Sequence, residues 1–199
     1  MTPDTLTGLR AGEDAALARL HTRLADAAQE QGLLEIAYTV ISTPVGELLL
    51  AATDAGLVRV GFGVEGHDTV LAQLSARISP RILLAPGRLA EPVRQLEEYF
   101  AGTRRDFSLA LDFRLATGFR RTVVEHLPDI GYGSTASYAA LAALAGSPGA
   151  VRAAGTACAR NPLPVVVPCH RVVRSDGKIG NYLGGTDAKA TLLAMEAAA

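Results

Sequence analysis

Asn161-Pro162-Leu163-Pro164-Val165-Val166-Val167-Pro168-Cys169-His170-Arg171-Val172 is the stretch from which the rest of the chain is read. The β-branched run Val165–Val167, closed on both sides by proline, reads as a buried extended segment that delivers Cys169 to the edge of a core. A free thiol titrates near pH ~8.5, so Cys169 is a useful nucleophile only where a base or positive charge favours the thiolate. His170 is the adjacent candidate. Neighbours on an extended strand point to opposite faces, and most free cysteines are small buried hydrophobes, so the pair takes its meaning from its surroundings.

Downstream, Ser175-Asp176-Gly177-Lys178 is a turn and Gly180–Gly185 a flexible loop. Thr186 is placed to cap a last helix with Leu192, Leu193 and Glu196 toward one side. Upstream, helices are expected at Phe119–Leu127, Ser137–Leu144 and Gly149–Ala159, the last two joined by Ala145-Gly146-Ser147-Pro148. A Gly/Pro turn of that length suits a helix-turn-helix, and equally an αα-hairpin of any helical domain. The third helix carries small side chains apart from Arg152, which serves either close packing in a core or entry into a narrow groove.

The first half has a different pattern. Ile36–Ser42, Glu47–Thr53 and Leu57–Phe62 read as strands, and Pro44-Val45-Gly46 and Asp54-Ala55-Gly56 between them are turns, which makes a β-meander. Helical periodicity follows at His67–Arg77 and Leu89–Phe100, giving an α+β unit. Leu17, Leu20, Leu24 and Ala27/Ala28 recur at helical spacing, so a helix over Gly12–Gln31 is expected to pack on this unit as an N-terminal extension.

With 199 residues, 49% of them hydrophobic, the chain has enough apolar side chain for one large or two small cores. Met1–Arg10 lacks a leader pattern and no apolar run approaches the ~18 residues of a membrane span. Two cysteines without regular spacing argue against a disulfide framework and fit a reducing, cytoplasmic location. The net charge of −1 is uneven: residues 131–199 hold 6 Lys and Arg against 3 Asp and Glu, whereas residues 1–130 hold 13 against 17. The thiol half is basic, compatible with a few phosphate contacts.

Asn161 upstream of Cys169-His170, Gly184-Gly185 downstream, and Tyr138 and Arg152 on the two paired helices together make the chain resemble the O6-alkylguanine-DNA alkyltransferase family. The resemblance is dense from Phe119 to Glu196 and looser from Ile36 to Asp112. It implies an N-terminal ribonuclease-H-like antiparallel sheet with helices over residues 35–115. A mostly helical alkyltransferase domain with a helix-turn-helix follows over 116–199, and residues 1–34 are an extension. The activity implied is single-turnover transfer of an alkyl group from O6-alkylguanine in duplex DNA, or from O4-alkylthymine, to Cys169.

The same resemblance distributes roles. His170 would take the thiol proton through a water, and Glu196 would hold His170. Asn161 would brace the turn before the thiol; its ordinary reading is an Asn-Pro turn of the same geometry. Arg152, otherwise a surface ion-pair residue, would fill the stack left by a flipped nucleotide. Tyr138, otherwise a half-buried packing residue, would rotate the phosphate and present a phenolic proton. Ala153 and Gly155 would let the helix enter the minor groove, and Val172, Tyr182, Leu183, Gly184 and Lys189 would line the base pocket. Leu183 stands where the family has a small residue. No cofactor is implied, since the thiolate supplies the electrons, and a metal site is not expected from His21, His67 and His126. The partner implied is double-stranded DNA containing alkylated guanine, with no membrane and no obligate protein. Two other classes use the same residues: a lesion binder, which would lack the acceptor thiol, and a cysteine hydrolase or redox protein, for which Cys158 is the available resolving thiol.

Overall fold

The strands and turns expected in the first half are realised as a sheet packed on both faces. In the computed structural model, which describes residues 3–198, β1 (Ile36–Thr43), β2 (Gly46–Thr53) and β3 (Gly56–Phe62) form the expected antiparallel meander. Leu48, Leu50, Val60 and Phe62 point into the main core, whereas Leu49, Ala51 and Val58 meet Val70 and Leu74 of α2 (His67–Arg77) on the other face. A fourth strand, β4 (Ile82–Leu84), lies beside β1 in parallel, giving the order β3-β2-β1-β4. Three residues carry too little periodicity to announce that strand. The helix α3 (Ala90–Phe100) closes the sheet half and buries Leu96 and Tyr99.

The second half is helical as expected, with α4 (Phe119–Glu125), α5 (Tyr138–Leu144), α6 (Val151–Ala159) and α7 (Gly185–Ala197). The fold class is therefore α+β, a small mostly antiparallel sheet followed by a helical half with a helix-turn-helix. One hydrophobic cluster runs through both halves, from Leu48 and Phe62 through Val123, Leu141 and Ala154 to Cys169 and Leu192. The Val60 amide donates to the Pro162 carbonyl at 2.9 Å, so the central sheet is bonded directly to the segment that precedes the thiol.

Two local expectations are corrected. The N-terminal helix α1 spans Pro3–Glu30, longer than expected, but Leu17, Leu20 and Leu24 are 53%, 57% and 54% exposed. Burial runs instead through Ala25, with Ala28 packed against the core at the helix end, where the amides of Leu33 and Leu34 close on the Ala28 carbonyl. At the other end, Thr186 does not cap α7: Gly184 occupies the N-cap and Thr186 lies inside the first turn. Gly184 is required by contact, because a Cβ there would fall 2.6 Å from the Phe62 ring. Residues 1, 2 and 199, included in the expected N- and C-terminal units, lie outside the described residues.

Candidate active site

The thiol is delivered by a turn, which overturns the extended segment expected for Val165–Val167. The Val167 amide donates to the Leu163 carbonyl at 2.8 Å, and Val165 sits at φ 73°, a rare conformation for a β-branched residue that costs on the order of 1–3 kcal/mol. Asn161 holds the turn from inside: its Oδ1 accepts from the Leu163 amide at 3.0 Å and its Nδ2 donates to the Val167 carbonyl at 2.8 Å. With no strand beside the run to take its backbone groups, a buried amide side chain takes them. Pro168 then starts the 3₁₀ turn Cys169–Arg171, in which all three side chains are buried.

Glu196 of α7 is the hub beside the thiol. Its Oε1 accepts from His170 Nε2 at 2.9 Å, Tyr99 Oη at 2.7 Å and Arg171 Nη2 at 3.0 Å, and its Oε2 from Arg171 Nε at 2.9 Å and the Gly133 amide at 3.2 Å. Burial alone would raise this carboxyl, but the hydrogen bonds from His170, Arg171 and Tyr99 outweigh it and hold it at about 2. An ionised carboxylate only accepts, so His170 Nε2 carries the proton and Nδ1 presents a lone pair. Nδ1 is buried and has no protein partner among the described residues. Burial holds the imidazole below its usual range against the pull of Glu196, so His170 is neutral at neutral pH.

Arg171 and Tyr99 were not singled out by sequence. Arg171 lies within the quoted stretch and could have been read as a counter-ion, whereas Tyr99, 97 positions from Glu196, has no local signal. Tyr99 acts through Glu196 as a positioning residue. With one donor fewer, the carboxylate would place more charge on His170 Nε2–H and favour the protonated imidazole. Tyr99→Phe should therefore move the acid limb of the pH–rate profile for thiol alkylation to higher pH by about half a unit. A changed melting temperature with an unmoved limb would leave Tyr99 a packing residue only.

Around the thiol, burial pushes Cys169 up to about 11, opposed by hydrogen bonding from Asn161 and the charge of Lys189. Lys189 is itself buried and donates to the Val172 carbonyl at 2.5 Å, so that carbonyl, expected to face a base, already holds one partner. Tyr182 stacks edge-on against Phe62 and His170, with ring centroids 5.5 and 6.3 Å apart. Leu183 is half-buried and lines a cavity shared with Asn161 and Arg59.

The helix-turn-helix is tied to this site by a pairing the sequence did not reveal. The two-residue strands β5 (Ala136–Ser137) and β6 (Val172–Val173) pair in parallel, Ala136 opposite Val172, which sets Tyr138 beside the segment that carries Cys169. Ser137 caps α5, its Oγ accepting from the Ala140 amide at 3.1 Å. Tyr138 lies across α6: a Cβ on Gly155 would sit 3.7 Å from its ring, and one on Gly180 2.8 Å from its Oη. Burial and the two thiols raise the Tyr138 phenol, so it stays protonated. Arg152 and Ala153 are exposed on α6, and Arg152 has no ion-pair partner among the described residues. Among the described residues no group of three or more His, Cys, Asp or Glu could hold a metal ion, and no helix is long and apolar enough to cross a membrane.

The chain matches two family profiles, "6-O-methylguanine DNA methyltransferase, ribonuclease-like domain" over residues 36–113 and "6-O-methylguanine DNA methyltransferase, DNA binding domain" over residues 118–198. It is 38% identical over 161 residues to a methylated-DNA–protein-cysteine methyltransferase of Mycolicibacterium paratuberculosis, covering 81% of this chain and 92% of the relative. With the constitutive methylated-DNA–protein-cysteine methyltransferase of Bacillus subtilis it shares 41% over 164 residues, covering 80% of this chain and 94% of the relative. Among solved structures, Mycobacterium tuberculosis OGT in complex with DNA superposes with a TM-score of 0.72 at 36% identity, covering 81% of this chain and 93% of that one.

Proposed function

Because the chain belongs to the 6-O-methylguanine DNA methyltransferase family, we propose that Cys169 takes the alkyl group from O6-alkylguanine in duplex DNA, once per molecule, after the damaged nucleotide is flipped out of the stack. The chain is a methylated-DNA–protein-cysteine methyltransferase; its activity is DNA repair by alkyl transfer to a cysteine, and its partner is DNA. The observation that carries the finer reading is the arrangement around the enclosed thiol: Glu196 fixes the tautomer of His170, leaving Nδ1 as the one basic lone pair of the group.

The Cys169 proton passes through a bridging water to His170 Nδ1 while Glu196 stabilises the imidazolium. The sulfur lone pair attacks the carbon on O6, and the S–C bond forms as the C–O6 bond breaks. The electron pair of that bond stays on guanine, which takes a proton from the Tyr138 phenol; the proton released by the thiol replaces it, and the base leaves neutral. No redox change occurs, so no cofactor is called for. The thioether has no route back to thiol, and the protein is consumed stoichiometrically. O4-alkylthymine presents the same exocyclic oxygen and alkyl carbon and is the second substrate of this reading. Val172 and the Tyr182–Gly184 loop wall the base pocket, and Lys189 steadies the Val172 carbonyl.

Extruding a nucleotide costs a few kcal/mol, least at a damaged pair. Arg152, exposed and without an ion-pair partner among the described residues, fills the gap in the stack; Tyr138 crowds the adjacent phosphate; Ala153 and Gly155 give α6 the small surface a minor groove admits. In this reading residues 35–115 are the ribonuclease-H-like unit, 116–199 the alkyltransferase unit and 1–34 an extension, in a cytoplasmic protein. Arg152→Ala should slow repair of O6-methylguanine in duplex DNA by about tenfold, within the range of a few kcal/mol for unstacking, and leave reaction with free O6-benzylguanine near the wild-type rate. Equal losses on both substrates would remove the flipping role. The reading as a whole is tested by intact mass after incubation with excess O6-methylguanine duplex: a gain of one methyl group per chain, mapped to Cys169, is expected, and regenerated unmodified protein with multiple turnovers would overturn it.

A further inference from the structure

We propose that the cavity between the sheet half and the helix-turn-helix half is a binding site for a phosphate-type oxyanion, gripped by Arg77 and Arg120. Its volume is about 340 Å³, within the range of small-ligand sites. Arg59, Arg77, Arg120 and Arg160 line it, with Glu65 the one carboxylate. Glu65 is already committed: one oxygen pairs with Arg59 and the other accepts from the Phe62 amide at 2.8 Å. Arg59 is committed too, donating also to the Val60 and Pro162 carbonyls. The other three guanidinium groups have no carboxylate partner among the described residues.

Arg77 and Arg120 converge on a single neutral acceptor. Arg77 Nη2 and Arg120 Nη2 both donate to the Leu115 carbonyl, at 3.3 and 2.6 Å. Two like charges on one oxygen repel unless an anion lies between them. Arg120 Nε is shielded from solvent and has no acceptor among the described residues, which is costly for a charged donor. Phosphate oxygens supply what is missing, because guanidinium forks match their spacing bidentately. The lining also includes Asn161, which holds the Cys169 turn, and Leu183, in the loop before α7, so the cavity borders both segments that shape the thiol site.

The same chemistry comes from two sources, a backbone phosphate of bound DNA or a free phosphate compound. Ala159 and Arg160, at the end of α6, form part of the wall. The DNA source rests on the proposed function, in which α6 faces the duplex.

The full chain and its Arg77→Gln/Arg120→Gln variant are titrated with sodium pyrophosphate at matched ionic strength, and their affinity for unmodified duplex DNA is measured against salt. For the wild type a saturable shift of the Arg120 Nε–H resonance and a rise of about 2 °C in melting temperature are expected, both absent in the variant. If DNA supplies the anion, the variant's salt slope falls by about 1. If the source is a free anion, the slope is unchanged while pyrophosphate still saturates the wild type. No saturable shift in the wild type overturns the site, and that titration decides alone should the variant fail to fold. Neither arginine belongs to the transfer machinery, so the variant should react with free O6-benzylguanine as the wild type does. A wild type inert toward that substrate would sink the proposed function and leave the pyrophosphate result standing.

Discussion

Cys169→Ser is expected to abolish alkyl transfer outright while the protein still folds and binds duplex DNA. The substitution keeps the size of the side chain and removes the atom whose lone pair attacks carbon. A serine hydroxyl is far less acidic than a thiol, and this site already pushes the thiol up to about 11 by burial, so nothing present could ionise the hydroxyl. Cys158, the other thiol, does not substitute: it is buried on α6 and pushed higher still by burial and by Cys169. Intact mass after incubation with alkylated duplex should show no added group in the variant, and a gel-shift should show affinity within about twofold of wild type. Alkyl transfer persisting in this variant would mean that Cys169 is not the acceptor.

Glu196→Gln should impair both chemistry and stability. It replaces the carboxylate that accepts from His170, Arg171 and Tyr99, and leaves the Arg171 guanidinium buried without its counter-charge. Breaking one side of a buried pair costs about 3–5 kcal/mol, and losing the group that stabilises the imidazolium should slow transfer by about 100-fold. The sign of the pH dependence follows from the carboxyl. Its folded value of about 2 lies below the ordinary Glu value near ~4.3, so its contribution to stability is fully present above that ordinary value and is lost as pH falls from about 4 toward 2. The gap in melting temperature between wild type and variant should therefore be widest above pH ~5 and should narrow on acidification through that window. A gap that stays constant down to pH ~3 would show that Glu196 is not held ionised by these partners.

Local signals along the chain determined the meander, the two helices of the helix-turn-helix and the cysteine-histidine pair. Pro44-Val45-Gly46 and Asp54-Ala55-Gly56 are turn chemistry, the apolar run Leu48 to Ala52 has the length of a buried strand, and Val58, Val60 and Phe62 recur at its period of two, so the elements they predict follow from neighbours within a few residues. Cys169 and His170 stand out in the sequence, Asn161 and Glu196 are named through the family resemblance, and the fold sets Glu196 on His170 and Asn161 on the turn before the thiol. Tertiary structure alone decided what those residues touch. Tyr99 has the same helical spacing whether its hydroxyl meets water or Glu196. The two-residue pairing of β5 with β6 is too short to carry a period, and a buried Val165–Val167 run looks the same as a strand or as a turn until Asn161 is seen to take its backbone bonds. Likewise Arg77 and Arg120, 43 positions apart, are ordinary charged residues of two helices until both reach the Leu115 carbonyl. Periodicity records which face of an element is apolar; which distant side chain meets that face depends on chain crossings that no local pattern encodes.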